Sequence, residues 1–146
     1  IICIAAAKTQ SAETVQNVIK NGVRSVGENY LQEALDKHSK NAYLGAQLHF
    51  IGHLQSKKCK EAVSICDSID SVDSLKLAKK LNSEALKIDK TQQIMIQVNI
   101  GDETQKSGIN IQDLDELINH INSVLKNLKL TGLMCIPPQS DSPRPY

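Results

Sequence analysis

Two spacings of apolar residues alternate along this chain. Short apolar runs, or apolar residues at every second position, are followed by stretches in which apolar residues recur at three and four. The first spacing is that of strands and the second that of helices. Ile1 to Ala7 is unbroken and apolar, which predicts a buried parallel strand ending at Lys8. Ser11 then caps a helix with Ala12, Val15 and Ile19 on one face, closed by Asn21-Gly22. Val23 to Asn29 reads as a second strand, and Tyr30 to His38 as a helix carrying Leu31, Ala34 and Leu35. A third strand over Leu48–Ile51 precedes a short helix over Lys57–Val63. Ser68–Val72 is a fourth strand, after which Asp73 is expected to cap a helix with Leu75, Ala78, Leu81 and Ala85 inward. Ile94 to Ile100 alternates most clearly, Asn110 caps the next helix, and Leu130–Ile136 is the sixth strand. Pro137 to Tyr146 reads as loop.

A strand-helix unit repeated about six times predicts an α/β fold with a parallel sheet and right-handed crossovers. An open doubly wound sheet and a closed TIM-type (β/α)8 barrel both fit this order. The chain has no G-x-G-x-x-G and no G-x-x-x-x-G-K, which weakens the dinucleotide and P-loop readings. A full barrel takes about 250 residues. If the fold is a barrel, residues 1–146 are expected to be one partial barrel domain with about six of the eight strands, lacking the leading helix and the last strands.

Catalytic side chains in such folds gather at the C-terminal ends of the strands. Lys8 is placed there, in a cleft expected to be partly dry, where desolvation would favour a neutral amine able to condense with a carbonyl. In the fifth strand Ile94, Ile96, Val98 and Ile100 form the helix-facing phase, leaving Met95, Gln97 and Asn99 inward. By the same alternation Ala6 shares a phase with Lys8, Gly27 with Asn29, His49 with Ile51, and Gly132 with Met134. The expected inward set is therefore Ala6, Lys8, Gly27, Asn29, His49, Asn99 and Met134. Small residues leave room, polar ones offer hydrogen bonds, and Met134 gives a soft wall. A flat polar heterocycle suits such a lining. Asn29 could instead cap the following helix, and His49 could be an ordinary hydrogen-bonded histidine.

Charge narrows the partners. Seventeen basic residues against 16 acidic give a net charge of +1, and one Phe and three Tyr leave little to stack bases on. No nucleic-acid footprint follows, and no apolar run reaches the ~18 residues of a membrane span. None of the four cysteines forms a C-x-x-C pair, and Cys3 and Cys135 fall in apolar strands. Buried, reduced thiols of a cytoplasmic protein are expected, with no metal site. His49 and His53 are four apart, but Gly52 and the strand-like run around them argue against a helical metal pair.

Longer motifs give a resemblance. Ala6-Ala7-Lys8-Thr9, Val26 to Glu33 (VGENYLQE), His49 to Lys58 (HFIGHLQSKK), Val98-Asn99-Ile100, Gln105-Lys106-Ser107-Gly108 and Gly132-Leu133-Met134 occur in that order over nearly the whole chain. They resemble the pyridoxal 5′-phosphate homeostasis proteins, which are similar to the barrel domain of alanine racemase. The resemblance implies that Lys8 carries pyridoxal 5′-phosphate (PLP) as a Schiff base, and that Asn29, His49 and Met134 lie near the ring, with Ala6 beside them. It implies a monomer that buffers the cofactor, passing it to amino acids or apo-PLP enzymes, without robust turnover. Ala7 stands where the family often has a small polar residue, and the family's phosphate-binding segments belong to its last strands, which have no counterpart here. An amino-acid racemase is the alternative. It needs a second acid/base group opposite the lysine, and Tyr30, Tyr43 and Tyr146 show no obvious claim to that role. A sugar-phosphate barrel enzyme using Lys8 is the third reading.

Overall fold

The computed structural model describes residues 1–100 and 107–137. Six parallel strands alternate with helices. They are β1 (Ala5–Ala6), β2 (Ser25–Glu28), β3 (Gln47–Phe50), β4 (Ser68–Val72), β5 (Gln92–Gln97) and β6 (Leu128–Met134). The helices are α1 (Ala12–Lys20), α2 (Leu31–Ser39), α3 (Cys59–Ile65, entered through a 3-10 turn at Ser56–Lys58), α4 (Leu75–Lys87) and α5 (Ile111–Val124). Each strand pairs with the next, in the order β1-β2-β3-β4-β5-β6. A doubly wound sheet reverses its order at a switch point. A strictly sequential parallel order is that of a barrel wall, so the barrel reading is the one the topology supports. Strands β1 and β6 are the two edges, and among the described residues they do not pair with each other.

The core lies between the outer sheet face and the helices. Val26, Leu48, Phe50, Ile69, Ile94 and Ile96 are all within 1 % of full burial, and pack with Val15, Ala62, Leu81 and Ile121 from the helices. That is the helix-facing phase expected for β5. Side chains cap the starts of α1 and α4, while Asn110 stands at the cap position of α5 without a side-chain cap bond. Ser11 accepts from the Thr14 amide at the start of α1. The cap of α4 is Ser74, which accepts from the Leu77 amide, and not Asp73 as expected. Both residue types cap helices, and the one three residues before a free amide takes the position.

The first strand is shorter than its apolar run. Only Ala5 and Ala6 pair, with Val26 and Gly27, and Ile1 and Ile2 are exposed. The run has a neighbour on one side alone, so its start gains neither ladder bonds nor cover. The same edge position exposes Cys3, and Cys135 is exposed just past β6. The expectation that these two are buried is thereby corrected. Cys59 and Cys66 are the buried pair. Burial pushes the Cys59 thiol up to about 11 and the Cys66 thiol up to about 12, so both stay protonated where an exposed thiol ionises. Iodoacetamide at pH 8 is expected to modify Cys3 and Cys135 in the folded protein and to spare Cys59 and Cys66 until denaturant is added. Peptide mass mapping reads the outcome, and equal labelling of all four would contradict this core.

Among the described residues no helix is long and apolar enough to cross a membrane. The loop expected beyond Pro137 and the Gln105-Lys106 pair lie outside the described residues.

Candidate functional site

The register of the sheet sets one row of inward residues. Ala6 pairs with Gly27, Gly27 with His49, His49 with Ser68, and Ser68 with Gln93. Parallel partners share a face, so these five stand side by side on the concave surface. Two residues beyond this row, past the ends of β1, β2 and β3, come Lys8, Asn29 and Ile51, at the C-terminal rim. Gly27 is small for a packing reason. A Cβ there would lie 2.8 Å from Ile51 Cδ1 and 3.0 Å from Ile4 Cγ2.

His49 is held by a carboxylate. Its Nδ1 lies 2.9 Å from Asp70 Oδ2, and the other Asp70 oxygen accepts from the Ser68 hydroxyl. Asp70 is 3 % exposed at the side chain and His49 12 %. Asp70 thereby fixes the orientation of the imidazole through Nδ1. Ser68 and Asp70 are two apart on β4, so one strand face supplies the whole support.

The rim between β2, β3 and β5 encloses a cavity of about 220 Å3 lined by Asn29, Gly52, His53, Gln97, Asn99 and Ser107, among others. Its walls approach closely. A Cβ on Gly52 would fall 2.1 Å from the Asn29 carbonyl oxygen. Gly108, at φ +135°, would place one 2.6 Å from the Asn99 nitrogen. Gln97 donates through Nε2 to the Ser107 carbonyl at 2.9 Å, and Ser107 Oγ lies 3.2 Å from His53 Nδ1. His53 also stands 3.6 Å from Asp73. The two histidines of the sequence pair thus have separate partners, and no cluster of three metal-ligating side chains occurs among the described residues.

Of the residues expected from sequence, Asn29 and Asn99 line this cavity. Tyr30, not Asn29, occupies the cap position of α2, so the capping alternative for Asn29 does not apply. Met134 ends β6 opposite Gln97, and its carbonyl accepts from the Val98 amide at 2.8 Å. Ala6 and His49 belong to the row below the rim. Lys8 lies in the turn directly after β1 and is exposed. The dry surroundings expected for it are not formed by the described residues, because β1 is an edge strand with a neighbour on one side only. The sequence reading missed Asp70 and Ser68. Polar residues at every second position of an otherwise buried strand were the available signal.

A second polar cluster underlies the Lys8 turn on the outer side. Lys37 on α2 donates at 2.7 Å both to the Ala7 carbonyl and to Glu28 Oε1. Tyr43 donates to the same Glu28 oxygen at 2.9 Å, and burial beside that carboxylate pushes the Tyr43 hydroxyl far above its ordinary range.

Known proteins resemble this chain in sequence and fold. The family model described as alanine racemase, N-terminal domain, matches residues 5–146. A pyridoxal phosphate homeostasis protein of Escherichia coli strain K12 is 37 % identical over 150 residues, covering 100 % of this chain and 64 % of the relative. The protein of that name in Bos taurus is 35 % identical over 141 residues, 91 % of this chain and 52 % of the relative. This chain therefore spans less than two thirds of the length of these relatives. The structure of PipY of Synechococcus elongatus with PLP bound superposes with a TM-score of 0.86 at 30 % identity, over 95 % of this chain and 65 % of that one. Alanine racemase of Clostridium difficile superposes with a TM-score of 0.77 at 15 % identity, over 92 % of this chain and 35 % of that one, a likeness of fold.

Proposed function

The chain belongs to the alanine racemase N-terminal domain family, and from that premise we propose that it binds pyridoxal 5′-phosphate, with Lys8 as the attachment amine, and serves PLP homeostasis. The observation that carries this reading is the inward row and rim. They bring a primary amine, a carboxylate-held imidazole and the carboxamides of Asn29, Gln97 and Asn99 to the C-terminal ends of adjacent parallel strands. The relatives named for this role support it.

The residues present fit the cofactor by their donor set. The cofactor supplies an aldehyde that condenses with a primary amine and a ring that withdraws electrons. Lys8 offers the amine from a rim position open to exchange. Ala6 adds little bulk beneath it, while the room expected at Gly27 is taken by the side chains of Ile4 and Ile51. His49, oriented by Asp70, offers an imidazole, and Asn29 and Asn99 stand at the rim. Met134 supplies an apolar edge on β6. An exposed amine suits a carrier that loads from and releases to solution, passing the cofactor to amino acids or apo-PLP enzymes. A cytoplasmic monomer is part of the proposal.

Racemisation is less well supported. It needs a second acid/base group facing the lysine. Tyr43 is buried and donates to Glu28, and its raised titration removes it as a base at neutral pH. Tyr30 sits at the exposed start of α2, and Tyr146 lies outside the described residues.

Loading the protein with PLP, reducing with borohydride and mapping peptides is expected to place the label on Lys8. α-Proton exchange from alanine is expected at the rate of free PLP. A label on other lysines would overturn the attachment site, and exchange far above that of free PLP would restore the racemase.

A further inference from the structure

Thr9, the residue after Lys8, has φ +64°. That left-handed conformation is uncommon for any side chain and a genuine outlier for a β-branched one. Such a geometry persists only where its surroundings hold it. The surroundings are on α2. The Thr9 amide donates to Glu33 Oε2 at 2.9 Å, and Lys37 donates to the Ala7 carbonyl at 2.7 Å. Glu33 and Lys37 are one turn apart, with Nζ and Oε2 separated by 3.6 Å. The backbone is thus gripped on both sides of Lys8, and two local bonds tighten the turn. Thr9 Oγ1 donates to the Lys8 carbonyl at 2.6 Å, and the Gln10 amide donates to the Ala7 carbonyl at 3.1 Å.

Lys37 could be mistaken for a competing attachment amine. An ammonium has three donors, and those of Lys37 face Ala7, Glu28 and Glu33 in a site where its side chain is 5 % exposed. It is committed to the protein. A buried ion pair is weak support for stability in itself, since apolar residues of similar volume serve as well. Its place against the backbone flanking Lys8 gives it another use.

We propose that Glu33 and Lys37 are positioning residues, a clamp that holds the strained Ala7–Thr9 turn and so fixes where the Lys8 amine emerges. The inference rests on the reading of Lys8 as the attachment amine. Without the clamp, Thr9 relaxes to negative φ and the Lys8 side chain turns away from the inward row.

The test uses the intact chain with Glu33→Ala and Glu33→Gln. The Glu33 side chain is 37 % exposed, so neither variant opens the core, and Gln keeps an acceptor for the Thr9 amide. Lys37 is left in place because Glu28 would lose its counter-charge. Two readouts are taken. In the cofactor-free protein, hydrogen exchange at the Thr9 amide is expected to quicken roughly tenfold or more in Glu33→Ala, and to stay slow in Glu33→Gln. After PLP loading and borohydride reduction, the share of label on Lys8 is expected to fall by roughly tenfold in Glu33→Ala, with Glu33→Gln restoring it. Unchanged exchange and unchanged labelling in Glu33→Ala would overturn the clamp, as would faster exchange with Lys8 labelled as before. If the unaltered chain carries its label away from Lys8, it is the functional reading that fails, and the exchange rates still decide whether the clamp exists.

Discussion

Replacing Lys37 by Met is expected to destabilise the protein by about 3–5 kcal/mol, the range found when one partner of a buried ion pair is removed. Glu28 is fully buried and Lys37 nearly so. Without the ammonium, Glu28 keeps a single donor, the Tyr43 hydroxyl, on Oε1. Its Oε2 already has no hydrogen-bond partner among the described residues. The carboxylate would be left charged in a space it shares with β2 and α2. Met fills nearly the volume of Lys, so little of the loss comes from packing. Adding Glu28→Gln to Lys37→Met removes the orphaned charge and is expected to recover at least half of the loss. Urea unfolding of the two single variants and the double variant completes the cycle. A loss under about 1 kcal/mol in Lys37→Met would place the pair among those that surface salt bridges resemble, and the account of this cluster would fail.

The cluster also marks a limit of reading from sequence. Glu33 and Lys37 have the spacing of a solvent-exposed helical pair, which is how i,i+4 charges are ordinarily read. Nothing in their spacing shows that Lys37 reaches inward to Glu28, because Glu28 lies on a strand whose partner across space depends on the packing of α2. The helices and strands themselves were legible. Apolar runs and helical spacing placed the six strands and five α-helices of the described residues in order, with ends shifted by a few residues where a cap or edge decided the matter. Ser74 displaced Asp73 in one such place. The first strand was overextended because an apolar run records a tendency to burial, and residues 1–4 have no ladder partner on β2.

The site was legible to the extent that alternation fixes which side chains share a face. Ala6, Gly27 and His49 fall in one row as expected, since parallel partners keep a common phase. Alternation carries no information about how far a strand end lies from solvent. Lys8 was therefore placed correctly along the chain and wrongly in its surroundings. The supports of His49 left a weaker signal. Ser68 and Asp70 alternate on β4, which pairs in regular register with β3 at His49. Alternation shows that they share a face, but not which side chain of the neighbouring strand they bond.

Gly52→Ala is expected to destabilise by about 3 kcal/mol, the upper end of what overpacking costs, and to weaken PLP labelling at Lys8 with it. The added Cβ would stand 2.1 Å from the Asn29 oxygen and 2.7 Å from its carbonyl carbon and Cα. All three are backbone atoms at the end of β2, so no rotamer change relieves the contact. Either the end of β3 or that of β2 must move, and both line the rim cavity. Two other glycines grade the effect. At Gly27 the nearest obstacle is the mobile tip of Ile51, at 2.8 Å, and Gly27→Ala should cost about 1 kcal/mol as that side chain turns. At Gly132 nothing lies within 4 Å, and Gly132→Ala should be neutral or stabilising by up to about 1 kcal/mol through the unfolded chain. Thermal or urea unfolding ranks the three. A Gly52 variant as stable as the Gly132 one would mean that β2 and β3 do not meet at Asn29 as described, and the rim of the candidate site would lose its wall.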